Sequence, residues 1–334
     1  MNKYKIKINK TIKFLNKPLI FILIFMNSHM AYAWVNQETK LFLKTYYENK
    51  SSSSQQNDLS KNDKMIQIIN KNILVDGKPL FLTIVRPADV KKTLPVFVYL
   101  HGGGWVFGNF KGYEALVRQL VLDSQAAAVF VNYTLSPKVH YPVAINQSYE
   151  ALVWISKHGK ELNLDEKRLA IVGDSAGGNL AAAVSLMAKN NSGPHILLQV
   201  LICPVLDANF NTTSYKQFAK GYFLTKQAME YYWNAYVPNK EERKQIYASP
   251  LQATIAMLKG LPPTLIQTAE NDVLRDEAES YAMKLDEAGV PVASVRYNGT
   301  VHDFPDINSL NVTSSSQLAI HQVADALKRA LNKD

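Results

Sequence analysis

Leu169-Ala-Ile-Val-Gly-Asp-Ser-Ala-Gly-Gly-Asn179 decides how this chain of 334 residues is to be read. Its first four residues are a short apolar run suited to a buried strand, and from Ala176 the sequence turns to helix-forming residues. Between them, Gly173-Asp-Ser-Ala-Gly177 sets two glycines around a serine. Side chains at Gly173 and Gly177 would collide with the neighbouring strand and helix. The glycines therefore permit a sharp, strained turn that holds the Ser175 hydroxyl clear of the backbone.

Working outward, short runs rich in valine and isoleucine recur at Met65–Ile69, Phe81–Val85, Leu94–Leu100, Ala127–Tyr133, Ile196–Cys203, Thr264–Thr268 and Val292–Tyr297. From the third onward, helical stretches separate most of them: Tyr113–Asp123, Pro142–His158, Ala176–Ala188, Asp276–Ala288 and Ser315–Leu331. In the last, Ile320, Val323, Leu327 and Leu331 share one face. Alternating strands and helices predict an α/β fold with a mostly parallel sheet covered on both sides. The first two strands have no helix between them and are expected to pair antiparallel at one edge. Residues 207–247 are too long for a simple connection and are rich in aromatic residues. An insertion after a parallel strand lies over the edge where such sheets bind ligands, so it reads as a cap.

His101-Gly-Gly-Gly-Trp105 follows the strand ending at Leu100. Consecutive glycines let backbone N–H groups approach a reacting oxygen. Fixed donors at an oxyanion are worth about 2.7–4 kcal/mol each. Gly103, Gly104 and Ala176 are the expected donors, with His101 as an anchor of the loop. A phosphate-binding loop would want Gly-Lys-Ser/Thr, which is absent.

A serine hydroxyl needs a base beside it. Behind such an elbow the order is serine, acid, histidine. His302 follows the strand Val292–Tyr297 and is the expected base, whereas His321 falls in the final helix. Asp272 ends the preceding strand and is the expected acid, with Asp207, one strand earlier, as its competitor. Asp276 suits the first turn of the next helix. Asp303, adjoining His302, is expected to be badly placed to grip the same ring.

These stretches resemble the bacterial hormone-sensitive-lipase-like esterases. They are His101-Gly-Gly-Gly-Trp105, Gly173-Asp-Ser-Ala-Gly-Gly-Asn179, Ser249-Pro-Leu251, Asp272-Val-Leu-Arg-Asp-Glu277 and His302-Asp-Phe304, in family order. The resemblance implies the α/β-hydrolase fold, with a mostly parallel central sheet flanked by helices and a helical cap formed by about 34–62 and 207–247. It implies hydrolysis of short-acyl carboxylic esters, without metal or organic cofactor. A deacetylase or amidase would use the same triad, and a non-catalytic ligand-binding member of the fold is the rival of another class. The chain departs from the family at Thr134 (usually Arg), Lys138 (usually Glu), Gln147 (usually Asp) and Asp303 (usually Gly). The first three changes read as one ion-pair network lost as a unit, and Asp303 is expected to alter the polarity of the pocket or the pKa of His302.

The formal charge of +9 is dominated by the N-terminus. Residues 1–33 hold six lysines and no acid, which leaves 31 basic against 28 acidic residues beyond them. A net charge near +3 gives no case for nucleic acid as a partner. The lysine-rich start, the apolar run Leu19–Met26 and Ala31-Tyr-Ala33 read as a secretory signal peptide. The apolar run is far short of the ~20 residues needed to span a bilayer. The expectation is a secreted or periplasmic protein of residues 34–334, a single domain without stable membrane insertion. Its partner is a small-molecule ester, and a homodimer is compatible with the resemblance. The lone Cys203 lies in an apolar run and reads as a small buried side chain.

Overall fold

In the computed structural model, residues 35–48, 64–307 and 311–332 are described. The stretch read as a signal peptide and residues 49–63 of the N-terminal segment expected in the cap fall outside them. Chain order is α1 Gln37–Glu48, β1 Ile66–Val75, β2 Lys78–Pro87, β3 Leu94–Leu100, α2 Phe110–Ser124, β4 Ala127–Asn132, α3 Val143–His158, β5 Leu164–Asp174 and α4 Ser175–Asn190. It continues with β6 Leu198–Ile202, α5 Thr213–Gln217, α6 Lys226–Tyr236, α7 Ile255–Leu258, β7 Thr264–Asn271, α8 Arg275–Glu287, β8 Val292–Val301 and α9 Ser314–Leu331.

The eight strands form one sheet in the order β1-β2-β4-β3-β5-β6-β7-β8. The hairpin β1–β2 is antiparallel, and β2 also pairs antiparallel with β4. All pairings from β4 to β8 are parallel. Apolar residues on both faces explain why β3 to β7 read as continuous runs. In β3, Val96, Val98 and Leu100 face the core shared with α3, α4 and α8, while Phe97 and Tyr99 face the core shared with α2 and α9. In α9 the residues Ile320, Val323, Leu327 and Leu331 are all buried, as their spacing predicts.

Thr134 and Gln147 show what replaced the usual charges. The Thr134 N–H donates to Gln147 Oε1 at 2.7 Å, and Gln147 Nε2 donates to Thr134 Oγ1 at 3.0 Å. A neutral reciprocal pair avoids the cost of burying a lone charge.

The insertion carries α5 and α6, each started by a threonine whose hydroxyl accepts a backbone N–H: Thr212 from Tyr215 and Thr225 from Ala228. Trp233 and Tyr236 of α6 are fully buried against Trp105 of the glycine loop, with ring centroids 5.1 and 4.3 Å away. Such aromatic pairs add about 0.5–1.5 kcal/mol each beyond their burial. On its other side the insertion meets α1, where Phe42 and Tyr46 lie 5.5 and 5.2 Å from the Phe223 ring.

Candidate active site

Parallel strands deliver their following loops to one edge of the sheet, and the chemistry gathers there. Ser175, at the junction of β5 and α4, has a φ of +52°. A β-carbon on Gly177 would stand 2.5 Å from the Leu100 carbonyl carbon, and one on Gly173 would stand 2.8 Å from the Gly178 nitrogen. The elbow is therefore built as the sequence implied, with glycine required on both sides of the serine.

β7 and β8 bring the other two groups. Ser175 Oγ lies 2.9 Å from His302 Nε2. His302 Nδ1–H donates to Asp272 Oδ2 at 2.7 Å, which fixes the tautomer that leaves Nε2 free to accept. Asp272 Oδ1 accepts the Leu274 N–H at 2.9 Å, so the carboxylate is itself held in place. All three residues are buried. Burial works against the imidazolium, but Asp272 and Asp303 more than offset it, and the His302 pKa is raised well above the usual value.

The competing acids are engaged elsewhere. Asp207 Oδ1 accepts from Ala208 N–H and from Gln252 Nε2, both at 2.9 Å. Asp276 accepts from the Ser214 N–H at 2.7 Å, pinning α5 to the start of α8. Glu277 is buried and accepts the N–H groups of Leu206 and Asp207.

The glycine loop arches over the elbow. Gly103 and Gly104 have φ of +91° and +61°. Among the described residues, no protein acceptor takes the N–H groups of Gly103, Gly104 or Ala176. A β-carbon on Gly104 would stand 2.6 Å from two ring carbons of Tyr232, so α6 closes directly on this loop. His101 anchors it from below. Its Nδ1 lies 2.8 Å from the Gly102 carbonyl oxygen, and its ring stacks on Tyr133 at 4.2 Å. Burial lowers its pKa to about 4, which keeps it neutral.

Asp174 was not legible, and Asp303 was legible only as a group that could shift the His302 pKa. Asp174 stands at the variable position of the elbow motif, directly before Ser175. It is buried and accepts from the hydroxyls of Tyr99 at 2.9 Å and Tyr113 at 3.0 Å. Burial, then the nearby Asp303, push its pKa up to about 8. Asp303 corrects the sequence expectation. A left-handed φ of +50° folds its side chain back, and Oδ2 comes within 3.1 Å of His302 Nε2. It reaches the same ring as Asp272, on the opposite nitrogen.

Cys203 is buried as expected. Among the described residues, Cys203, Asp272 and His302 form the one group whose donor atoms, all within 4.8 Å, could ligate a metal ion. Burial pushes the thiol pKa well up, and His302 Nδ1 is committed to Asp272, so the set is poorly suited to a thiolate-bound metal.

The chain is similar to known proteins over most of its length. A family model described as alpha/beta hydrolase fold matches residues 97–306. The crystal structure of a thermostable esterase from Pseudomonas putida is similar with a TM-score of 0.85 and 45% identity, covering 90% of this chain and 99% of the other. A carboxylesterase of Mycobacterium tuberculosis is 35% identical over 269 residues, 80% of this chain and 84% of its own. An ethyl acetate hydrolase of Pseudomonas putida is 32% identical over 259 residues, 77% of this chain and 80% of its own.

Proposed function

The chain belongs to the α/β-hydrolase family, among its hormone-sensitive-lipase-like esterases, and is a carboxylic ester hydrolase; on that premise we propose that Ser175 is its nucleophile, His302 its base and Asp272 the acid behind it. The observation that carries the assignment is the buried line from Ser175 Oγ to His302 Nε2 at 2.9 Å and from Nδ1 to Asp272 at 2.7 Å. His302 takes the Ser175 proton as Oγ attacks the ester carbonyl. The oxyanion is held by the N–H groups of Gly103, Gly104 and Ala176. The alcohol leaves with the proton from His302, and water then releases the acid. A ligand-binding role without chemistry has no support in a site whose three groups are in register. The test is labelling with an alkyl fluorophosphonate followed by peptide mass spectrometry. The adduct is expected on Ser175, and a stable adduct on any other residue refutes the assignment.

The finer reading is hydrolysis of short-acyl esters under a cap made of the N-terminal segment and residues 207–247. Tyr232 against Gly104 and Phe223 against α1 support it. We also propose export, with cleavage after Ala33, from the pattern in residues 1–33. N-terminal sequencing of the mature protein is expected to begin at Trp34, and a membrane-bound product retaining residues 1–33 refutes it. Among the described residues, no helix is long and apolar enough to cross a membrane.

A further inference from the structure

Asp303 has no part in the acylation chemistry described above, yet it faces the reacting nitrogen. Its Oδ2 is 3.1 Å from His302 Nε2, which also faces Ser175 Oγ at 2.9 Å. Its Oδ1 is buried and has no hydrogen-bond partner among the described residues. A buried acceptor left open costs free energy, so a donor brought to this carboxylate is favoured.

Deacylation supplies one. The molecule that attacks the acyl group on Ser175 must give a proton to Nε2, so its oxygen stands about 2.6–3.2 Å from that nitrogen. An oxygen there can also reach the Asp303 carboxylate, because carboxylate and nitrogen are themselves only 3.1 Å apart. Water carries two hydrogens. A simple alcohol carries one, and Nε2 needs it.

We propose that Asp303 positions the hydrolytic water and thereby favours water over alcohols as the acyl acceptor. The inference rests on the acyl-enzyme reading given above. One water hydrogen is donated to the Asp303 carboxylate and the other to His302 Nε2. The water oxygen bonds to the acyl carbon as its proton passes to Nε2. The bond from the acyl carbon to Ser175 Oγ then breaks, Oγ takes the proton back from Nε2, and the free acid departs. An attacking alcohol spends its hydrogen on Nε2 and presents only lone pairs to the carboxylate. Burial raises the Asp303 pKa, and the imidazolium that forms during attack opposes this and favours the ionised carboxylate as the proton passes.

The test partitions one intermediate. Wild type, Asp303→Gly and Asp303→Asn hydrolyse p-nitrophenyl butyrate in rising methanol, and butyric acid and methyl butyrate are measured by gas chromatography. Glycine suits the left-handed φ at this position, so that variant is expected to fold. The methyl ester to acid ratio, per molar methanol, is expected to rise about tenfold in Asp303→Gly, the loss of one hydrogen bond to a charged group. Asp303→Asn, whose carbonyl still accepts, is expected to lie between. The ratio belongs to the acyl-enzyme alone, so a change in the amount of folded protein leaves it unmoved. An unchanged ratio in Asp303→Gly overturns the proposal. Failure of the acyl-enzyme reading has a different signature, p-nitrophenol release by Ser175→Ala at the wild-type rate, and it overturns both.

Discussion

Replacing Gly104 with alanine probes the oxyanion loop and the helix above it together. Gly104 has a φ of +61°, and an added methyl would stand 2.6 Å from two carbons of the Tyr232 ring. The left-handed conformation costs a residue with a β-carbon roughly 1–2 kcal/mol. Carbon atoms rest at about 3.5–4.0 Å, so the loop or the ring must move by about 1 Å. A misplacement of that size at a reacting centre costs about 100-fold in rate. Gly104→Ala is therefore expected to lower kcat on p-nitrophenyl acetate about 100-fold, with KM little changed, and to lower Tm by a few degrees. Adding Tyr232→Ala removes the collision but not the strain in φ, so the double variant is expected to regain much of kcat while Tm stays low. Steady-state kinetics and thermal melts on the three proteins are the assay. A single variant with kcat within twofold of wild type refutes the placement of this N–H at the oxyanion. A double variant no faster than the single one shows that Tyr232 is not the obstacle.

Asp272→Asn is expected to cost on the order of 10⁴ in kcat, through the wrong imidazole tautomer. Asp207→Asn is expected to cost under tenfold, since Asp207 braces its own loop, and the reverse order in the same assay rules out Asp272 as the acid. Catalysis needs neutral His302, and its flanking carboxylates stabilise the cation, so activity is expected to fall as pH drops through a value above 6.5. Asp303→Gly removes one of those carboxylates and is expected to move this acid limb of kcat/KM to lower pH, and a limb that stays in place or moves up contradicts the charge assignment. Across p-nitrophenyl esters from acetate to palmitate, each buried methylene gains about 0.8 kcal/mol only while the pocket can cover it. Efficiency is therefore expected to peak at a chain of roughly two to eight carbons and then fall, and a maximum at palmitate contradicts the capped pocket.

Each of the eight apolar runs corresponds to a strand, and those of the central strands β3 to β7 were the clearest because these strands are buried on both faces. Their ends were less visible where burial stops. β1 extends to Val75 through an edge with several exposed positions, where no continuous apolar run marks it. β5 starts at Leu164 through the polar stretch Asp165–Arg168, paired to β3 across a register shift. β8 runs on to Val301, so His302 leaves the strand directly rather than from a loop several residues later. The spacing of Ser175, Asp272 and His302 was readable because each follows a strand that ends at the same edge of the sheet. The contact of Asp303 with the His302 ring was not, because sequence adjacency carries no information about the left-handed turn that brings its carboxylate back. Asp174 was hidden by the motif that contains it, its tyrosine partners lying 75 and 61 residues away. Tyr232 was visible only as one aromatic residue in a rich segment, and its contact with Gly104 belongs to tertiary packing.

The central claim is that the hydroxyl of Ser175 carries the ester chemistry, aligned by His302 and Asp272. Its most direct test is the turnover of p-nitrophenyl acetate by Ser175→Ala, with circular dichroism and thermal melting to show that the fold is retained. Losing the nucleophile of such a triad costs on the order of 10⁶ in kcat. The expected result is a folded protein with activity at the limit of detection, and a folded Ser175→Ala protein turning over at a rate near wild type would contradict the account.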